Sequence, residues 1–256
     1  MESTKGAAMS GIVDNPFVVF AAFLVAQWIA AYFGDFVGSR RRPAKKDELA
    51  DLDVVQTAAL TLLALIIGFS FSMAVSRYDQ RKDYEEAEAN AIGTEYLRAD
   101  LLPAENVLAV RDLIRRWLDQ RIDFYERSSE RRIGQVEAKM EKLQAELWSA
   151  ILPAASAYPT PAIALAVAGM NDILNAQSRW NRIPAAAWGL MGFIAIACNG
   201  LLGYSEHKRG ALRLLVVPIV VSIAVLLIAD IDCPRGGIIR VLPHNLIALS
   251  QSIKAQ

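Results

Sequence analysis

The stretch VVQTAALTLLALIIGFSFSMAVS, residues 54–76, runs directly into RYDQRKDYEEAEANAIGTEYLRADLL, residues 77–102. The first part holds no Asp, Glu, Lys or Arg over 23 residues, long enough for a helix to cross the roughly 30 Å hydrocarbon core of a bilayer. The second part carries four basic and seven acidic residues and belongs in water. No proline falls between Val54 and Leu102. The spacing therefore predicts one helix of 49 residues, about 74 Å long, that leaves the membrane without a break. Pro103 ends it.

Three further blocks lack the four charged residue types: 15–34, 183–205 and 214–229. The last has only 16 residues, about 24 Å of helix, and must either borrow its neighbours, spanning as 214–231, or sit in a thinned region, with Pro218 kinking it. The block 15–34 reads as a retained span rather than a cleaved leader, since Lys5 is the only basic residue before it and the apolar core is too long. The chain thus reads as a tail (1–14), a first span (15–34), a basic loop (35–53), a second span (54–76) continuing to 102, a helical extra-membrane domain (77–182), a third span (183–205), a basic loop (206–213), a fourth span (214–231) and a turn with an amphipathic tail (232–256). This is an all-α integral membrane bundle. Of the 256 residues, 54% are hydrophobic, and the mean hydropathy is +0.27.

Lys and Arg total 27, as do Asp and Glu, so no basic excess exists to neutralise a nucleic acid backbone, and nucleic acid is excluded as a main partner. Cys198 and Cys233 are too few for a disulfide framework. His207 and His244 are isolated, and HExxH, GxxxxGK[ST] and GxSxG motifs are all missing, so an enzyme, a metal centre or a cofactor is not expected.

In the domain, Ile133, Val136, Met140, Leu143 and Leu147 recur at steps of three and four along a helix expected over 104–152, the seam of a heptad. Pro153, Pro159 and Pro161 are expected to close it. Pro243 starts the tail, which places Leu246, Ile247, Leu249 and Ile253 on one side, against the membrane or the bundle. The short loops hold Arg40, Arg41, Arg42, Lys45, Lys46, Lys208, Arg209 and Arg213, and their density favours a cytoplasmic location for those loops. That orientation puts both termini and the domain on the other side. Arg77, Arg81, Lys82, Arg179, Arg182, Arg235, Arg240 and Lys5 equal them in number across the membrane.

The segments Gly68-Phe69-Ser70-Phe71, Arg77-Tyr78-Asp79-Gln80-Arg81, Glu86-Ala87-Glu88-Ala89-Asn90-Ala91-Ile92-Gly93 and Leu97-Arg98-Ala99-Asp100-Leu101-Leu102-Pro103 carry a resemblance. Together with Ser178-Arg179, Pro184, Trp188 and the run Asp230-Ile231-Asp232-Cys233-Pro234-Arg235-Gly236-Gly237, they resemble the bacterial bestrophin-like domain family over most of the chain beyond Val54. The family is related at a distance to bestrophins, through the Tyr78-Asp79 stretch and the four-span layout. The resemblance implies a multi-pass protein of the bacterial inner membrane and a pentameric homo-oligomer. It also implies a small-anion channel whose pore is lined by the second span, with the helical domain in the cytoplasm.

Candidate sites follow from the helix period. Thr57, Thr61, Ala64, Gly68, Ser72 and Ser76 lie at steps of four, three, four, four and four, which puts small or weakly polar residues on one face. Such a face either lets helices pack closely or lines a pathway, with Ile66, Phe69 or Met73 as an apolar gate. Glu85, Glu86, Glu88, Glu95 and Asp100 form either a carboxylate ring for cations or a solvated helix face. Glu88, Asn90, Thr94 and Arg98 read first as subunit or hairpin contacts and second as a ligand site, with Arg98 able to pair with Glu95 or Thr94. Asp230 and Asp232, at the end of the fourth span, make either an ion site or a structural turn, and Glu88 is a further acidic candidate. Beyond itself, the partners expected are the lipid bilayer and small anions; a non-conducting scaffold or envelope sensor acting through the domain is the alternative.

Overall fold

The computed structural model describes residues 15–40, 46–126, 130–176, 183–205, 211–233 and 237–255. Among them all regular structure is helical: α1 Pro16–Arg40, α2 Lys46–Arg98, α3 Ala104–Glu126, α4 Glu130–Ala157, α5 Pro161–Asn175, α6 Ala185–Ser205, α7 Ala211–Asp232 and α8 His244–Lys254. A 3-10 turn, Ala99–Leu101, ends α2 just before Pro103. Among the described residues four helices are long and apolar enough to cross a membrane: α1, α2 over its apolar part, α6 and α7. The chain divides into two compact units, Met1–Tyr78 with Asn181–Arg240, and Asp79–Trp180 with Val241–Gln256. Helix α2 contributes to both.

In the first unit the apolar side chains do not all turn inward. Phe17, Ile29, Phe33, Phe193 and Val220 stand exposed, as expected where the surrounding solvent is lipid. Lipid supplies no hydrophobic drive to bring helices together, so small residues and hydrogen bonds must do it. Both are present. On α1, Gln27, Ala31 and Gly34 form the buried stripe. A methyl group at Gly34 would overlap the backbone oxygen of Gly200, one at Gly203 would overlap that of Ala31, and one at Gly38 would stand 2.9 Å from that of Tyr204. The backbones of α1 and α6 are therefore in direct contact. One turn away, Asn199 Nδ2 donates to Gln27 Oε1 at 2.8 Å and to the Ala195 carbonyl at 2.9 Å. Gln27 Nε2 donates in turn to Ser222 Oγ at 3.0 Å and to the Phe23 carbonyl at 3.3 Å. This chain of amides ties α1, α6 and α7. Met191, Ala195 and Cys198 of α6, Val221, Val225 and Ile228 of α7, and Leu63 and Ala74 of α2 fill the space beside it.

The second unit is a water-type core. Ile92, Tyr96 and Ala99 of α2 meet Val110, Ile114, Trp117 and Leu118 of α3, with Met170 and Ile173 of α5. On α4 the heptad residues Val136, Met140, Leu143 and Leu147 are buried and the seam runs on through Ile151 and Ala154; the side chain of Ile133 lies outside the described residues.

Two expectations are corrected. The helix foreseen over 104–152 is two helices, α3 and α4, on either side of Arg127-Ser128-Ser129. Pro153 does not close α4 but sits inside it. A proline removes one rung of hydrogen bonding and costs about 3 kcal/mol or more in a helix interior, and burial of Ile151 and Ala154 on the seam holds the last turn against that cost. The break comes at Thr160, whose hydroxyl accepts the Ile163 N–H and caps α5, with Pro161 in its first turn. Helix α7 takes in residues on either side of the uncharged block, as one of the two alternatives for it required, and at 22 residues, about 33 Å, is long enough to span. Of the two places foreseen for the tail, α8 takes the bundle: Leu246 and Ile253 are buried in the core of the second unit.

Gly203→Leu is expected to force α1 and α6 apart and lower stability by about 1–3 kcal/mol or more. Gly189→Ala, where an added methyl meets nothing within 4 Å, should change it by less than about 0.5 kcal/mol. Thermal unfolding in detergent, followed by tryptophan emission, measures both.

Candidate functional site

The buried residues of α2 include Gln56, Leu63, Ser70, Ala74, Arg81, Glu85, Glu88, Ile92 and Glu95, at steps of seven or of four and three, with Ala89 and Tyr96 buried beside them. A helix with such a seam presents its other residues outward. Thr57, Thr61, Ala64, Gly68, Ser72 and Ser76 are all exposed, and a methyl added at Gly68 would meet nothing within 4 Å. Thr61 Oγ1 donates to the Thr57 carbonyl at 2.8 Å, so its hydrogen is used within the helix while its oxygen faces out. The three apolar gate residues separate. Phe69 is 65% exposed and Met73 36%, whereas Ile66 packs against the core with Ile67. Ile66 is thus on the packed side of α2 and the other two on the open side.

Burial overturns the reading of the acidic stretch as a solvated face: three of its carboxylates are buried, and two of them have partners far away in sequence. Glu85 is covered by the start of α8. The backbone N–H groups of Asn245 and Leu246 both donate to its Oε1 at 3.0 Å, and Asn245 Nδ2 donates to Oε2 at 2.7 Å. A carboxylate there satisfies two of the free amides at a helix N-terminus and meets its positive dipole end. Gly93 makes room beside it, since a methyl there would stand 3.0 Å from Leu249 Cδ1.

Glu88 lies in a buried pair. Arg121 of α3 reaches both of its oxygens, through Nε to Oε1 and through Nη2 to Oε2 at 2.8 Å, and Tyr125 donates its hydroxyl to Oε2 at 3.2 Å. The guanidinium also sits 4.7 Å from the ring centre of Phe124 and 5.6 Å from that of Tyr125. Burial pushes the Glu88 carboxyl above its ordinary range, and Arg121 pulls against that. The fork of an arginine, which keeps its proton, fits this two-oxygen contact as a lysine would not. Glu95 is buried beside Arg98, with Nη1 at 4.0 Å from Oε2. Glu86 stays exposed. Asp100 is mostly exposed and pairs with Arg111 at 2.9 Å.

At the end of α7, Asp230 Oδ1 and Oδ2 accept the N–H groups of Ile238 (2.7 Å) and Ile239 (2.9 Å). Gly237 is required there, because a methyl group would stand 2.5 Å from the Asp230 carbonyl oxygen. Both oxygens of Asp232 accept the Ile183 N–H, at 3.0 and 3.1 Å. The two aspartates bind the backbone where the chain turns and where it enters the third span. Among the described residues no group of three or more His, Cys, Asp or Glu side chains converges.

No family model, curated protein or solved structure matches this chain. Arg179, Arg182, Pro234, Arg235, Gly236, Lys208 and Arg209 lie outside the described residues. The roles of Gln27, Asn199 and Ser222, of Gly34, Gly200 and Gly203, and of Arg121 were not foreseen. An amide inside an uncharged span, as at Gln27 and Asn199, and glycines three or four apart were the signals that could have found the first two sets.

Replacing Arg121 with Met leaves Glu88 buried without its countercharge, and is expected to destabilise the domain by about 3–5 kcal/mol. Adding Glu88→Gln to Arg121→Met should recover part of that loss. Denaturant unfolding of the three proteins checks both steps.

Proposed function

We propose that copies of this chain assemble around the open face of α2 into a membrane pore for small anions, with Thr57, Thr61, Ala64, Gly68, Ser72 and Ser76 toward the axis. The observation that carries the reading is that all six are exposed while the opposite face of the same helix is packed. Hydroxyls and an open glycine offer dipoles to a partly dehydrated ion without a fixed opposite charge that would trap it. Phe69 and Met73, on the open side, are the gate candidates that fit this arrangement. The acidic stretch beyond the span does not weigh against anions as its composition implies, because Glu85, Glu88 and Glu95 are buried and only Asp79, Asp83, Glu86 and Asp100 remain outward. The likeness to bestrophin-like proteins supports the same reading and, with it, a pentamer in a bacterial inner membrane.

A second reading has its own observation. Leu62, Leu65 and Phe69 stand exposed beside the small residues, and an apolar face with small residues is also what two packed helices share. In that case the copies form a non-conducting scaffold or sensor acting through the helical domain.

Halide flux into liposomes separates the two. The pore reading predicts flux from the purified protein that Gly68→Leu abolishes while the oligomer stays intact. Flux no greater than that of protein-free liposomes, or dissociation of the oligomer by Gly68→Leu, contradicts it and supports the scaffold.

A further inference from the structure

Glu95 differs from the other two buried carboxylates of α2. Glu85 and Glu88 each accept several hydrogen bonds; among the described residues neither oxygen of Glu95 accepts one. Its side chain is fully buried, and the nearest cation, Arg98 Nη1, is 4.0 Å away on a side chain that is 28% exposed and so shared with water. What covers the carboxyl is the backbone of α5. A methyl group at Gly169 would overlap Glu95 Oε2 and stand 2.5 Å from Arg98 Nη1, so the carboxyl and the tip of Arg98 together occupy the space that any other residue at 169 would fill. Around this contact Ile92 and Ala99 of α2 and Ala166 and Met170 of α5 are all buried in the apolar core.

A carboxylate that is desolvated and accepts no hydrogen bond is much less stable than its protonated form. The charges acting on Glu95 among the described residues are Arg98 on its own helix, which favours ionisation, and Asp172 on α5, which opposes it. Asp172 lies three residues beyond Gly169, hence on the same side of α5.

We propose that Glu95 and Gly169 form a protonation-controlled contact, in which α5 closes on α2 while the carboxyl is neutral and is released when the carboxyl ionises. This contact lies within the helical domain and stands whether or not the chain conducts. Burial first, with Asp172 adding to it and Arg98 opposing, pushes the Glu95 carboxyl up to about 8 from an ordinary 4.5. The closed form therefore holds a proton that the opened form gives up. The stabilisation is complete below about pH 4.5 and falls as pH rises, until it is lost at about pH 8. Between those limits the opening constant of α5 rises about tenfold per pH unit, and above them it levels off. At neutral pH the contact is on the steep part of that curve, where a modest change in proton activity moves it.

Hydrogen exchange of the full-length protein in detergent, corrected for the intrinsic pH dependence of amide exchange, tests this. In the wild type, opening of Pro161–Asn175 should rise about tenfold between pH 6 and pH 7 and change little above pH 8.5. Glu95→Gln, a neutral side chain of the same shape, should show a flat profile over that range. Infrared spectra of the wild type should show a protonated carboxyl band that disappears with a midpoint near pH 8, absent from Glu95→Gln. Equal profiles in the two proteins, or no such band in the wild type at pH 6.5, would overturn the proposal. Should Glu95→Gln not fold, the exchange profile of Pro161–Asn175 in the wild type decides, and a profile flat between pH 6 and pH 8 overturns the proposal.

Discussion

One helix has to satisfy two solvents with a single buried seam. Over its 53 residues α2 begins as a membrane span and ends in an aqueous core, yet one seam at steps of seven, or of four and three, runs along it, widened in the second unit by Ala89 and Tyr96. What changes along the seam is its chemistry. In the first unit it is Leu63, Ser70 and Ala74, small or apolar residues that let helices approach in lipid; in the second it is Arg81, Glu85, Glu88 and Glu95 interleaved with Ile92 and Ala99. Because the seam takes one side of the helix, the side bearing Gly68 is left over, and the functional proposal rests on that remainder.

The two units hold their helices by different means, each suited to its medium. The first unit uses backbone contact at Gly34 and Gly203 and a neutral amide chain through Gln27, Asn199 and Ser222. None of these groups carries a charge that would be costly in hydrocarbon. The second buries charge, and each buried carboxylate is handled separately: Glu85 by a helix N-terminus, Glu88 by a two-pronged arginine, Glu95 by a glycine and an incomplete ion pair. That gradation in how well each charge is compensated makes Glu95 the responsive one. The aspartates at the end of α7 bind backbone N–H groups instead, which fastens the turn after the last span.

The all-helical class and the four apolar helices were legible because uncharged blocks of span length leave little choice of medium, and because the absence of proline from Val54 to Leu102 leaves a helix no reason to stop. The outward face of α2 was legible as a stripe, but its surroundings were not. Periodicity says which residues share a face and nothing about which face a fold covers. The acidic stretch misled for a related reason. Glu88 and Arg121 are 33 residues apart, and Glu85 and Asn245 are 160 apart, so composition near each acid gave no hint of its partner. Pro153 misled because local propensity yielded to the burial of Ile151 and Ala154 around it.

The central claim is that the open face of α2 meets water inside an assembly rather than lipid outside it. Single cysteines placed at Thr57, Thr61, Ala64, Gly68 and Ser72, on a background with Cys198 and Cys233 replaced by Ala, test it in native membranes with a charged, water-borne thiol reagent. The account predicts modification at these five positions and protection at Leu63→Cys and Ala74→Cys. Gly68→Cys that reacts with a lipid-soluble reagent but stays inert to the water-borne one would contradict it.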